Sequence, residues 1–331
     1  MIRNVSILNQ YSDYLLDRYS NFPRGRYVSL LIIRKTESET IFRTEGSGEG
    51  LVKETVIAGE RKENAKPMRR VVISKRKQTA VERRTGRELL REHDLLKMVT
   101  VKNNEQPCSL NMNAPCSKCI DCMLYGYAVG GGGAQKSRVM TEDAYSVGPV
   151  AQVTDRRTFN ATFDNGTMRN PITGAASTSI NEDEFVVPET HFLDIETLKD
   201  VTVSELQYVI GNVLRSSRYG AISSRMGKIR NILAAIVFSD AEIFSNLELT
   251  QFVYDRLLRD MDELDFPLAD EDILAAVDDA TDELLKRLVS RTPVVVRGDI
   301  LQQVRDETVA LYRETSGVKA LLEEIERGYS A

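Results

Sequence analysis

Residues Leu124 to Val147 read LYGYAVGGGGAQKSRVMTEDAYSV, and the organisation of the whole chain follows from how this stretch is read. Four consecutive glycines, Gly130 to Gly133, lack the side chains that keep a phosphate away from backbone N–H groups. Lys136 and Arg138 bring positive charge beside them, with Ser137 between. The competing reading of a glycine run is a plain flexible linker. Immediately upstream lie all four cysteines of the chain, Cys108, Cys116, Cys119 and Cys122, spaced C-x7-C-x2-C-x2-C. Two interlocked CxxC steps turn successive thiolates toward one ion, and Cys108 can close a tetrahedral set of four. Structural zinc is the expected occupant. An iron–sulfur cluster uses the same ligands, but no electron-transfer partner motif accompanies it. Four protein thiolates leave no open coordination position, so the site is expected to hold a loop in shape and to catalyse nothing. His93 and His191 read as structural or surface histidines.

Working outward, Tyr27–Arg34 (YVSLLIIR) and Glu39–Glu45 (ETIFRTE) read as two strands of a hairpin turning at Lys35–Ser38. Residues 46–70 read as a Gly-, Lys- and Glu-rich excursion, and Thr79–Val99 as a helix weakened by Gly86. A strand is expected near Ser146–Thr154. Residues 155–184 hold almost no continuous apolar run, yet Asn165-Gly166 is a strong hairpin-turn signal, so they read as an exposed β-hairpin arm. Phe185–Leu193 reads as the strand returning to the body. Thr202-x-x-Glu205 has the form of a capping box ahead of Leu206, Val209, Ile210, Val213 and Leu214. Ile229–Ser239 reads as another strand. The tail carries three helical stripes, around Val253–Leu264, Ile273–Leu288 (capped by Asp270) and Ile300–Leu311. The order strand, strand, helix, strand, strand, helix, strand predicts an α+β fold with an RRM-like (ferredoxin-like) core over 1–240. Insertions are expected at 46–78 (a basic finger), 100–123 (the four-cysteine zinc loop) and 155–184 (the hairpin), with a helical lobe over 241–331.

Charge separates along the chain. The 331 residues carry a net charge of −5, with 42% hydrophobic and 28% charged residues, an ordinary globular balance. Residues 61–91 hold twelve Lys or Arg against three glutamates, whereas from 240 onward twenty-two acidic residues face ten basic ones. One polyanion-facing surface and one that avoids polyanions are expected. No apolar run reaches the roughly 18–20 residues of a bilayer span, and the N-terminus lacks signal-peptide features, so a cytoplasmic protein is expected. No P-loop and no Ser-His-Asp set is present.

The segment Leu124–Val147, with its aromatic-glycine step, glycine loop and later S-R-V and D-A, resembles a signature of the RAMP superfamily. It is most similar to the backbone subunits of CRISPR effector complexes, the "Cas seven" family. Glu184–Phe192 (EFVVPETHF) resembles that family's strand after the hairpin arm, with the usual glycine replaced in Glu189-Thr190-His191. Tyr219–Ile232 (YGAISSRMGKIRNI) resembles its late glycine loop, with Gly220, Arg225 and Gly227 at motif positions. Arg69–Arg84 (RRVVISKRKQTAVERR) is similar to the stretch entering the first helix. The cysteine insertion and helical C-terminus resemble the type I-D version of the subunit.

The resemblance implies an RRM-like palm, a finger insertion, a β-hairpin thumb, and several copies stacked in a helical filament on one guide RNA (crRNA). It implies further partners: a target DNA strand, and the large, five-prime cap and guide-processing subunits of a Cascade complex. The expected RNA contacts are Arg69, Arg70, Lys75, Lys77, Arg83, Gly132, Lys136, Ser137, Arg138, Arg156, Arg157, Arg225 and Lys228. Phe163 and Met168, with Phe159, are expected as apolar wedges between bases, or as packing against a neighbouring subunit. The aromatic octapeptide of conventional RRM proteins is missing and there is no Trp, which favours sequence-indifferent binding to phosphate and sugar. Two rival functions stand beside this one. A metal-dependent nuclease resembling type III relatives would need a carboxylate, yet residues 44–78 offer glutamates, Glu49 and Glu54 among them, and no aspartate. A general zinc-containing single-strand binder is the other. The expectation is a binding subunit and not an enzyme.

Overall fold

The computed structural model describes residues 6–43, 50–101, 103–109, 114–130, 133–160, 162–178, 180–259 and 263–330. In chain order the strands and helices are β1 (Tyr27–Thr36), β2 (Lys53–Ile57), β3 (Pro67–Ile73), α1 (Lys75–Glu92), β4 (Met98–Val101), β5 (Asn104–Pro107), α2 (Ile120–Tyr125), β6 (Tyr127–Val129) and β7 (Gly133–Gln135). There follow β8 (Val139–Thr141), β9 (Ala144–Ser146), α3 (Val150–Val153), β10 (Thr154–Asn160), β11 (Ile180–Val186), β12 (His191–Lys199), α4 (Val203–Arg215) and β13 (Ile229–Ser239). The chain ends with α5 (Asn246–Leu258), α6 (Asp270–Leu285), β14 (Val294–Val296), α7 (Gly298–Arg313) and α8 (Thr315–Ser330). The fold is mixed α+β.

One antiparallel sheet runs β14-β13-β1-β12-β9-β3-β2, with β8 pairing β12 beyond β9. β1 lies at its centre, paired along its length with β12 on one side and β13 on the other. This explains the nearly unbroken apolar run YVSLLIIR: a strand covered on both faces has no solvent side to keep polar. Alternate residues feed two cores. Val28, Leu30 and Ile32 pack with Leu198, Phe238, α1, α4, α7 and α8. Leu31 and Ile33 pack with Leu193, Ile195, α5 and α6. Each such fully buried Leu or Ile contributes about 1.5–3 kcal/mol. The helices after residue 240 therefore cover both faces of the sheet, and β14 extends its edge. They do not form a lobe of their own, because the exposed sheet faces supply the apolar partner that their stripes require.

Several sequence expectations are corrected. Residues 39–43 do not return as a hairpin partner of β1, and Thr44 and Glu45 lie outside the described residues. Thr40 bridges Val186 and Ile41 bridges Ala221, while β1 continues through Lys35 and Thr36. The polar residues that suggested a turn are satisfied in place: the Lys35 ammonium meets Asp270 at 3.0 Å and the Thr36 hydroxyl donates to the Val187 carbonyl at 2.7 Å. The basic 46–78 excursion contains β2 and β3, and β3 joins the main sheet through β9. The first helix spans Lys75–Glu92, and Val99 belongs to β4. Gly86 is no weak point, since a Cβ there would collide with Tyr208 and Asn212 and hold α4 away. The strand expected near Ser146–Thr154 is split into β9 and the short α3. That expected over Phe185–Leu193 breaks at Glu189, whose φ of +65° turns the chain between β11 and β12. Asp270 begins α6 but does not cap it; Ala269 holds that position. The capping box at Thr202 and Glu205 is present as expected, each side chain accepting the other's backbone N–H.

Within the core a charged network joins α1 to the sheet. The Arg34 guanidinium reaches Glu82 at 2.9 Å, Asp194 at 2.7 Å and Glu196 at 2.8 Å, all four side chains wholly buried. Three carboxylates around one cation leave excess negative charge. Burial first, and then the neighbouring Glu82, hold the Glu196 carboxyl well above its ordinary range.

Candidate functional site

The hairpin arm is built as expected: β10 and β11 pair from Thr154↔Val186 out to Asn160↔Ile180. Beyond them the Phe163–Thr167 turn places Gly166 at φ +71°, and a second turn at Asn170–Gly174 leaves Ile172 93% exposed. Phe163 and Met168 are half-buried within this tip. The Phe159 side chain and Gly132 lie outside what the structure describes. At the base of the arm, Val186, Phe185, Phe192, Ile41 and Tyr219 form a third apolar cluster.

The loop 217–228 is fastened to the same base. The Ala221 N–H donates to the Ile41 carbonyl at 2.9 Å and the Gly227 N–H to that of Glu39 at 2.8 Å. Gly220 sits at φ +83°, where a Cβ would meet the Ile41 carbonyl at 2.5 Å, so only glycine lets the loop lie this close. A small cleft results, lined by Phe42, Arg43, Val52, Ser74, Lys77 and Gly220. It brings the start of α1 against the glycine loop. Lys75, Arg76 and Lys77 occupy the first turn of α1, all exposed, with no acidic residue in that turn. Among the described residues none of the three has an ion pair. Cations at a helix N-terminus are disfavoured by the helix dipole, by about 0.3–1 kcal/mol each. The Asp143 carboxylate accepts the Lys75 N–H at 2.9 Å and offsets part of that cost, and a phosphate beside the three exposed cations would offset more. Arg225 is exposed and Lys228 half-buried in the neighbouring loop. Arg69 is exposed on β3. Arg156 pairs with Glu182 at 3.4 Å, and Arg157 with Glu39 at 2.5 Å while lying 5.4 Å from the Phe185 ring. Such exposed pairs are weak enough for a phosphate to exchange into them.

Four of the expected contacts face inward instead. Arg70 is fully buried, donating to the carbonyls of Ser146 at 2.7 Å, Ala58 at 2.8 Å and Val147, and burial pushes its pKa down to about 10. Arg83 forks onto Asp121 at 2.9 and 3.0 Å. Arg138 is buried against Glu205, donates to the Asp200 carbonyl at 3.0 Å and lies over Tyr19. The Ser137 hydroxyl closes on the Val139 carbonyl at 2.6 Å. The glycine run is no linker: β6 and β7 pair across it as a hairpin. It also lies apart from the arm. The Arg138 carbonyl accepts from the Lys199 N–H, at the far end of β12 from His191, about 26 Å away at roughly 3.3 Å per residue. Lys136 is exposed at that far end.

The cysteines form a second centre. All four Sγ atoms lie within 4.8 Å of one another, with Cys108–Cys122 at 3.5 Å, Cys108–Cys119 at 3.8 Å and Cys116–Cys122 at 3.9 Å. Thiolates about 2.3 Å from a tetrahedral ion stand roughly 3.8 Å apart, so the set fits one metal. The Cys116 N–H donates to Cys108 Sγ and the Cys119 N–H to Cys116 Sγ, both at 3.2 Å. Hydrogen bonds from Cys116, then Cys119 and Cys122, hold the Cys108 thiol far below its ordinary range. Arg87 adds positive charge 3.9 Å from Cys108 Sγ and pairs with Asp121 at 2.8 Å. Asp121 thus ties the cysteine loop to α1 through both Arg83 and Arg87. Sequence reasoning missed this use of the arginines, although their i, i+4 spacing with an acid between the last two cysteines signals it. Among the described residues no helix is long and apolar enough to cross a membrane.

The same architecture occurs in a CRISPR protein of known structure. The crystal structure of Thermofilum pendens Csc2 superposes with a TM-score of 0.58 at 17% identity, covering 98% of both chains. Chains titled "CRISPR RNA-guided surveillance complex" and the same "pre-nicking" align more loosely. Their TM-scores are 0.48 and 0.49 at 10% and 11% identity, over 86% of this chain and 99% of theirs. No curated protein matches in sequence. The family described as "Csc2 Crispr" matches residues 14–322, and the chain belongs to that family.

Proposed function

We propose that the chain is the crRNA-binding backbone subunit of a type I-D Cascade complex, polymerising along its guide and presenting it to a target DNA strand. The observation that carries this reading is the arm-end surface. Three cations without ion pairs among the described residues open α1 beside a glycine loop, where the Asp143 carboxylate accepts the Lys75 N–H at 2.9 Å, under a hairpin too polar to serve as core. Such a surface suits the phosphates of a single strand of any sequence. The succession β1, α1, β8/β9, β12, α4, β13 supports reading the core as an RRM-like palm, because its sheet order places the first and third strands centrally. The arm is then the thumb, and Arg69, Lys75, Lys77, Arg156, Arg157, Arg225 and Lys228 follow the guide. Large, cap and guide-processing subunits complete the assembly in the cytoplasm.

In this reading Cys108, Cys116, Cys119 and Cys122 hold a structural zinc ion with no open coordination position, and the subunit holds RNA without cutting it. A nuclease would need a metal-binding carboxylate; Glu54 is exposed and accepts the Tyr145 hydroxyl at 3.1 Å on one of its two oxygens. Glu49 lies outside the described residues. The test is to purify the protein with its nucleic acid and sequence what is bound. Repeat-flanked spacer RNA is expected. Random RNA supports the general single-strand binder, and metal-dependent cleavage lost in Glu54→Ala supports the nuclease.

A further inference from the structure

At the end of the sheet away from the arm, residues 16–26 and the end of α8 enclose a second basic groove. Its volume is about 680 Å³ and its charged lining is Asp17, Arg18, Arg24 and Arg26. That size falls in the range of roughly 300–1,000 Å³ seen for ligand pockets. The loop is held in place. The Asp200 carboxylate accepts the backbone N–H groups of Arg24 at 2.9 Å and Arg26 at 3.0 Å, so it serves amides and not guanidinium groups. The Ser20 hydroxyl donates to the Phe22 carbonyl at 3.1 Å and lies 3.2 Å from the Phe22 N–H, and Pro23 fixes the next φ.

On this fixed turn Phe22 is 78% exposed. Tyr19 lines the groove, its ring edge-on to Tyr329 at 5.2 Å and 4.8 Å from the Arg138 guanidinium. The Arg26 guanidinium donates to the carbonyls of Ser12 and Leu15, neutral acceptors that leave its charge uncompensated. Arg18 and Arg24 are exposed and, among the described residues, have no ion pair. An exposed apolar ring on the same short loop as two guanidinium groups without ion pairs offers what a single nucleic-acid strand requires: a face for a base and cations for the flanking phosphates. An acidic peptide would use the arginines but leave the ring idle.

We propose that Arg18, Phe22 and Arg24 form a second single-stranded nucleic-acid contact, distinct from the arm-end cleft. β1 alone, Tyr27 to Thr36, separates the two by about 30 Å. The two surfaces are therefore separate, and a strand in the groove is a different strand from the guide or another part of it. The inference goes beyond guide binding and stands without it.

The test uses the full-length protein and a hexamer of 5-iodouridine, crosslinked by light and mapped by peptide mass spectrometry. Crosslinks are expected in the peptide spanning residues 19–24. Phe22→Ala with Arg18→Ala and Arg24→Ala should lower their yield about tenfold while arm-end crosslinks persist. All three side chains are exposed, and circular dichroism checks that the variant folds. Groove crosslinks that survive Lys77→Ala with Lys228→Ala support the second contact even if the arm-end reading fails. Crosslinks confined to the arm end overturn it. A poly-glutamate peptide that protects this loop, with no oligonucleotide crosslink there, also overturns it and assigns the groove to a protein partner.

Discussion

Arg138 and Lys136 stand two positions apart in a basic segment, yet the structure gives them opposite roles. Removing one partner of a buried pair leaves the other charge unmatched, so Arg138→Ala should destabilise the fold by about 3–5 kcal/mol. Lys136→Ala should stay within about 0.5 kcal/mol of the parent. Denaturant unfolding of the two variants decides it, and equal stabilities would refute the structural role of Arg138. Local sequence could not separate them, because charge density says how many cations a segment has and not which way they point. Arg70 and Arg83 escaped for the same reason. Glu196 gives a second expectation. Its folded pKa is raised, so its protonated form belongs to the native state. The stability it contributes is complete below the ordinary glutamate value of about 4.3 and is lost as pH rises toward the elevated folded value. Glu196→Gln should flatten that alkaline decline, read as melting temperature against pH. Parallel curves for the two proteins would show that the carboxyl does not hold its proton.

Among the elements, the arm was the most legible, because an Asn-Gly turn between polar strands carries its own signal. The capping box and the helical stripes were legible for the same local reason. The hairpin assigned to residues 27–45 was not. Strand pairing is decided by partners far along the chain, and β1 takes β12 and β13 over its own neighbour. Since the arm contributes little to any core beyond Phe185 and Val186, deleting residues 160–182 should leave a folded monomer. That monomer should no longer build regular multimers on guide RNA. Electron microscopy showing ordered filaments of normal pitch would remove the role assigned to the arm. The cysteine loop behaves as a separate unit of a different kind. Cys116→Ser should abolish metal binding and loosen residues 97–126 while the sheet stays folded. Elemental analysis finding no metal in the freshly purified parent would contradict a closed thiolate site.

At the scale of the molecule, the division between a basic first third and an acidic last third was visible in composition, and the arm-end surface draws on the basic part. Binding should therefore weaken with salt although the net charge is −5. Lys75→Ala with Lys77→Ala should lower the log–log salt slope by about 1.4, roughly 0.7 for each phosphate that is no longer neutralised. An unchanged slope would mean that the start of α1 does not touch the strand. What composition could not reveal was where the acidic helices lie. Periodicity identifies an apolar stripe but not its partner, and the three stripes read as a lobe, with α8 after them, turn out to cover the two faces of the sheet.

That last arrangement constrains how the protein is made. Leu301, Val304, Val318, Leu321, Leu322 and Ile325 sit in the same cluster as Leu30 and Ile32. A ribosome that has synthesised β1 must add almost three hundred further residues before α7 and α8 complete the cover that α1 and α4 begin. Until then the nascent chain displays a sticky apolar surface and needs shelter, from a chaperone or from the helices arriving early enough. For the guide-binding role proposed above, loading is expected only once α7 and α8 have docked on the sheet.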